Sequence, residues 1–260
     1  MLRKQPGTGP ATMDFARIGG LAAVTFAFLI VAGNAVLVPA GLPRTGAGIG
    51  EVDGFFRAHG DLVGLGSALT PAAWIMATLF GAGAVSVLWQ SERDRGEAWA
   101  LVGFAGLVLQ NAVFAAVVAI RLALASTTAD GVGADTSLWA LHDALFTLNG
   151  TFLALALVGL SVGGLRAGLI RPWHGRWGLV AAVPLSASAV LTPLVVDHTG
   201  PLGLLGLVGW LMWVVWIVVY GVVLMRAHRP RDHRAAGQWQ HPSADRGPGG
   251  SVSRRQKHDA

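Results

Sequence analysis

Three histidine and aspartate pairs stand far apart in the chain: His59 with Asp61, His142 with Asp143, and Asp197 with His198. Imidazole and carboxylate together suit a divalent metal such as zinc, or proton uptake near neutral pH. Each pair lies near the start of a long apolar run. If the three helices those runs imply converge, the six side chains form one polar cluster at the mouth of a bundle. If they do not, the aspartates have a simpler use, since a carboxylate in a first helical turn caps free N–H groups and offsets the positive end of the macrodipole.

A second polar group lies deeper. Asn111 and Asn149 each fall about ten residues inside an apolar run, which at 1.5 Å per residue is a depth of ~15 Å for both. An amide pair at that level is an interhelical hydrogen bond or part of a polar seam. His142 and Asn149, seven apart, share one helix face, as a seam requires. Gln110 points about 100° away from Asn111 and addresses another neighbour. Thr70 and Pro71 reach a similar depth and add a hydroxyl and a freed carbonyl, and Asn34 is a further member.

Other chemistry is thinly represented. Cysteine is absent, so there is no thiolate site. No phosphate-binding loop, zinc-protease helix, nucleophile elbow or dinucleotide fingerprint is present. For a b-type haem, His59 and His142 are the two histidines whose helix starts can face each other. No cofactor is identified.

The elements that must position these residues follow from composition. Hydrophobic residues make up 53% of the 260 and charged residues 13%, about half the charged fraction of an ordinary soluble domain. The apolar residues are gathered into six runs without Lys or Arg: 18–39, 68–90, 98–120, 138–160, 177–196 and 202–224. Each reaches the roughly 20 residues that a membrane-crossing helix needs. Continuous apolarity excludes a β-barrel, whose strands alternate. The expected fold is therefore all-α, a polytopic membrane bundle of six transmembrane helices over 17–226. Irregular cytoplasmic segments are expected at 1–16 and, rich in Arg, Pro, Gly and His, at 227–260.

Charge sets the orientation. Of the nineteen Lys and Arg residues, only Arg44, Arg57 and Arg121 fall on one side of the six spans, and the other sixteen fall on the opposite side. Both termini are therefore expected in the cytoplasm of a bacterial cell, with the protein in its inner (plasma) membrane. The net charge of +5 points to anionic lipid headgroups on that side and not to nucleic acid. A membrane protein partner or a second copy is also compatible with this composition. Between the first two spans, 41–65 is the longest outer connection, read as a short interfacial helix or a loop. Trp89, Trp99, Trp139, Trp173 and Trp177 mark span ends, and His174 joins Arg171, Trp173 and Arg176 in a basic aromatic collar. Trp210, Trp213 and Trp216 form an interior stripe in the sixth run, read as packing or lipid contact. Gly159 with Gly163, Gly164 with Gly168, and Gly60 with Gly64 have the spacing that lets helices approach closely.

From 138 to 226, Leu141-His142-Asp143, the run Gly168-Leu169-Ile170-Arg171-Pro172-Trp173, and Gly209-Trp210 resemble families of multi-pass membrane proteins of high-GC bacteria catalogued as domains of unknown function. The resemblance implies architecture and no activity. The chain therefore reads as a non-catalytic small permease or accessory membrane subunit. The alternative is a metal- or haem-binding membrane enzyme using the outer His/Asp cluster.

Overall fold

The computed structural model describes residues 14–197 and 202–227. Among these there are nine helices: α1 Phe15–Leu37, α2 Ile49–Ala68, α3 Thr70–Arg95, α4 Trp99–Ala129, α5 Thr136–Leu148, α6 Gly150–Arg166, α7 Pro172–Val190, α8 Thr192–Asp197 and α9 Gly203–Arg226. Of the segments expected to be irregular, 1–13 and 228–260 lie outside the described residues; Asp14 is the N-cap of α1, so the helix starts at Phe15 inside the expected N-terminal segment.

Five helical stretches are long and apolar enough to cross a membrane: Phe15–Leu37, Ile49–Arg95, Trp99–Ala129, Thr136–Arg166 and Gly203–Arg226. The bundle is all-helical, as its continuous apolar runs require. The run at 177–196 does not make a sixth helix of this kind. It is divided between α7 and α8 at Leu191, ahead of Pro193. In α7 itself, His174, Arg176, Pro184 and two serines dilute the apolar content. Two of the five stretches are also articulated: α2 meets α3 at Leu69 and α5 meets α6 at Asn149. Pro71 explains the first break, because it cannot donate to the Ser67 carbonyl. The Thr70 hydroxyl donates to that carbonyl instead, at 2.6 Å.

Helix α1 packs on α3 and α9, α4 on α6, and α7 on both α6 and α9. The centre is filled by Phe26, Phe80, Leu107, Leu157, Trp213, Trp216 and Tyr220. Trp213 meets Phe26 edge-on at 5.2 Å, and Trp216 meets Phe80 edge-on at 6.4 Å, so the stripe in α9 is core packing. Small residues set the helix separations. A Cβ on Gly159 would lie 2.6 Å from the Gly103 Cα and 2.7 Å from the Trp99 carbonyl oxygen, so α4 and α6 touch backbone to backbone there. Such contact supplies the van der Waals attraction that must hold helices together where the solvent is as apolar as the side chains.

The segment 41–65 is neither a plain loop nor a short helix. After an extended Gly48, with Glu51 in the first turn, α2 runs for 20 residues, and Val52, Phe55, Phe56 and Val63 fall on one face. That face finds a partner because α4 has 31 residues and is ~46 Å long, well beyond the ~30 Å of a hydrocarbon core. At the end away from the N-terminus of α1 and the C-terminus of α9, here the distal end, α2 covers Ile120 and Leu124 of α4 and Trp139 of α5. A second core forms, separate from the main one.

Candidate functional site

The distal core holds the most polar construction among the described residues. His142 is 3% exposed and Asp143 1%. The Nε–H of Arg121 donates to His142 Nε2 at 2.9 Å. Guanidinium has no lone pair to accept with, so Nε2 must be the bare nitrogen. The proton is therefore on Nδ1, which donates to Asp143 Oδ1 at 2.9 Å. The second carboxylate oxygen accepts the Gly46 N–H at 2.7 Å. Gly46 has φ +81, a left-handed conformation that glycine adopts without strain. The row runs from α4 through α5 to the connection between α1 and α2. Its charges cancel with the imidazole neutral.

The imidazole is clamped on both faces. Trp139 stacks on it at 4.4 Å and 11°, and Phe146 lies parallel on the other side at 6.0 Å. Residues three before and four after a helical position share its face, so α5 carries the whole sandwich. Trp139, expected at a headgroup boundary, is turned inward for this reason and is 5% exposed. Beside the sandwich, Asp53 of α2 accepts the Ala134 N–H at 2.9 Å and pairs with Arg57 at 2.8 Å, which fastens the connection from α4 to α5.

The remaining members of the expected outer cluster are placed elsewhere. His59 is half-buried, rests against Phe55 at 5.3 Å and sits where α2 bends, with φ −130 and ψ 23. Asp61 is exposed. No hydrogen bond or ion pair joins either to His142 or Asp143 among the described residues. Asp197 closes α8, which packs on α5, and His198 lies outside the described residues. Among the described residues no three His, Asp or Glu side chains converge as a metal site would need. Both ring nitrogens of His142 are engaged, so it offers no lone pair to a metal or haem iron as it stands.

The deeper polar residues do not form a seam, and the side-chain oxygens of Gln110, Asn111 and Asn149 are buried without a partner among the described residues. Asn111 Nδ2 donates to the Trp74 carbonyl at 3.2 Å and to Thr78 Oγ at 3.4 Å, both in α3. Asn149 is buried at the junction of α5 and α6, and no hydrogen bond links it to Asn111. Asn34 donates to the Ile30 carbonyl of its own helix at 2.9 Å. Gln110 is buried next to Asn111. Beside Asn111 an open groove of about 600 Å³ separates α3 from α4, lined by Pro71, Trp74, Ile75, Val108 and Ala112.

At the opposite end, His174 does not join an exposed collar. It is 1% exposed and its Nε2 donates to the Trp216 carbonyl at 3.1 Å, while Arg171, Trp173 and Arg176 stay outside. Glu92 is equally buried, and its two carboxylate oxygens accept the Ala100 N–H at 2.8 and 3.0 Å, capping α4 from the end of α3. Glu97 binds Arg95 and Arg166 nearby.

Sequence reasoning missed Arg121 and Gly46. Arg121 reads as a charge just beyond a span, and its only sequence signal is that it directly follows an apolar run facing the one containing His142. No family model matches the chain, and no curated protein or solved structure is detectably similar to it.

Proposed function

We propose that the chain is a bacterial plasma-membrane protein that crosses the bilayer six times, has both termini in the cytoplasm, and serves without catalysis as an accessory membrane subunit. The sixth crossing in this reading is α7 with α8, which together run from Pro172 to Asp197. The charge bias across the spans supports the orientation, and it also makes anionic headgroups the expected lipid contact on the cytoplasmic side.

The observation that carries the reading is that the ring nitrogens of His142 and the carboxylate of Asp143 are engaged within the chain and that the bundle centre is filled by aromatic and branched side chains. The first favours a structural role over a metal or haem enzyme. The second favours a subunit over a permease, whose path has to run through that centre.

Elemental and absorbance analysis of the purified full chain tests the non-catalytic part: the expected result is neither a stoichiometric transition metal nor a Soret band. Stoichiometric zinc or haem, lost in His142→Phe, would overturn it. Reporter fusions test the topology. Those after Arg95, after Arg171 and at the C-terminus should read cytoplasmic, and one after Asp130 should read external. A fusion after Arg171 on the same side as Asp130 would remove the orientation.

A further inference from the structure

The row ending at Asp143 begins with a side chain that is only partly used. Arginine carries five N–H donors in a rigid fork. Of those on Arg121 only the Nε–H has a protein acceptor among the described residues. The two terminal nitrogens, with four N–H groups, have none. The side chain is partly buried, and neither terminal nitrogen is among the fully enclosed polar atoms that lack a partner, so the fork keeps some access to the outside. Asp143 makes no hydrogen bond to it; its two oxygens accept from His142 Nδ1 and the Gly46 N–H.

The fork is also aimed. The bond to His142 Nε2 fixes one edge of the guanidinium, and its carbon lies 5.8 Å from the centre of the Phe146 ring. The imidazole that holds it is itself wedged between Trp139 and Phe146. A guanidinium with its Nε edge pinned presents its outer edge, two parallel N–H groups, in one direction. That edge matches two oxygens of a phosphate. Its level in the molecule agrees. Arg121 is 22 residues along α4 from Trp99, or ~33 Å, which is about one hydrocarbon thickness from the other end. A helix that crosses the bilayer therefore sets this side chain where phosphates lie.

We infer that Arg121 is the hook of a phosphate-binding site at the distal end of the bundle, with His142 and Asp143 as its positioning residues. The ligand is a phosphate oxyanion, either the phosphodiester of a lipid headgroup or a free phosphate. A monoanion suits the site, because Asp143 already balances the charge of the row and the fork adds geometry more than net charge. The inference requires that α4 cross the membrane and does not depend on the accessory role proposed above.

The test uses the full chain purified in dodecyl maltoside, a detergent without phosphate. Dissociation constants are measured for short-chain phosphatidylglycerol, for a glycosyl diacylglycerol of the same chain length, and for inorganic phosphate. Phosphatidylglycerol should bind the parent at least tenfold more tightly than the glycolipid. Arg121→Gln should weaken it by roughly 10- to 100-fold, the range of hydrogen bonds to a charged group. Arg121→Lys should fall between. Competition by inorganic phosphate at the same residue would identify free phosphate as the source, and binding of the lipid alone would identify the headgroup. The positioning role has its own readout: in a His142→Phe background, Arg and Lys at 121 should bind phosphate equally, because the fork is no longer aimed. Should Arg121→Gln not fold, phenylglyoxal labelling of the parent replaces it, and Arg121 should be modified several-fold more slowly with phosphatidylglycerol than with the glycolipid. Equal binding by parent and Arg121→Gln, or equal labelling in the two lipids, overturns the site.

Discussion

Replacing Asp143 by Asn changes one atom and tests the whole distal row. Both carboxylate oxygens accept: one from His142 Nδ1 at 2.9 Å, the other from Gly46 N–H at 2.7 Å. The imidazole cannot change tautomer to help, because Arg121 donates to Nε2. An amide has one oxygen and one NH2, so one of the two donors must face a donor. The loss includes a charge-assisted hydrogen bond, about 1.5–3 kcal/mol. It also includes the balance for Arg121, and breaking a buried pair from one side costs roughly 3–5 kcal/mol. These overlap, and Arg121 is partly solvated, so the expected net cost is about 3 kcal/mol. That is a large share of a stability of roughly 5–15 kcal/mol.

Reversible unfolding of the purified protein in mixed micelles reads this cost directly. Histidine nitrogen spectra of the parent should show His142 protonated at Nδ1 and bare at Nε2. In an Arg121→Gln background the guanidinium no longer requires a counter-charge, so Asp143→Asn should cost at least ~1 kcal/mol less there. A single-variant cost below ~1 kcal/mol, together with a coupling below ~0.3 kcal/mol, would refute the row as a linked unit.

Two further outcomes follow from local geometry. Gly159→Ala places a Cβ between backbone atoms at 2.6 and 2.7 Å, with no rotamer to relieve it, and should destabilise by about 3 kcal/mol; Gly60→Ala, whose Cβ meets only the Ala125 methyl at 3.9 Å, should be neutral or up to ~1 kcal/mol stabilising. Asn111→Leu and Asn149→Leu, measured singly and together by the same unfolding, should show coupling no larger than ~0.3 kcal/mol, because Asn111 spends its amide on Trp74 and Thr78. A coupling near 1 kcal/mol would mean that the two side chains meet after all.

The sequence by itself determined that this protein is built of helices, five stretches of which are long and apolar enough to cross a membrane. A backbone in hydrocarbon must satisfy its own polar groups, so long uncharged runs have one solution, the helix. That constraint is one-dimensional and legible in 18–39, 98–120 or 202–224. It fails where a run is interrupted from within, as at Leu191 ahead of Pro193. It also fails where a helix outlasts its apolar run: α4 continues to Ala129, and that extension supplies Leu124, which α2 covers together with Ile120 and Trp139.

The candidate site divides in the same way. His142 and Asp143 stand out in the sequence because polar side chains in an apolar run are costly. Their meaning does not, since it depends on which donors face them across three elements. Arg121 and Gly46 are 21 and 97 positions away from the residues they bind. Nothing in their local sequence distinguishes an arginine that ends a span from one that orders a buried row. Asn111 shows the converse, because its depth was readable while its rotation about α4 was not. Rotation is set by close packing of glycines such as Gly103 and Gly159, which lets one face and not another meet a neighbour. Depth along a helix is a count of residues, and partnership across helices is a product of packing; tertiary structure alone decides the second.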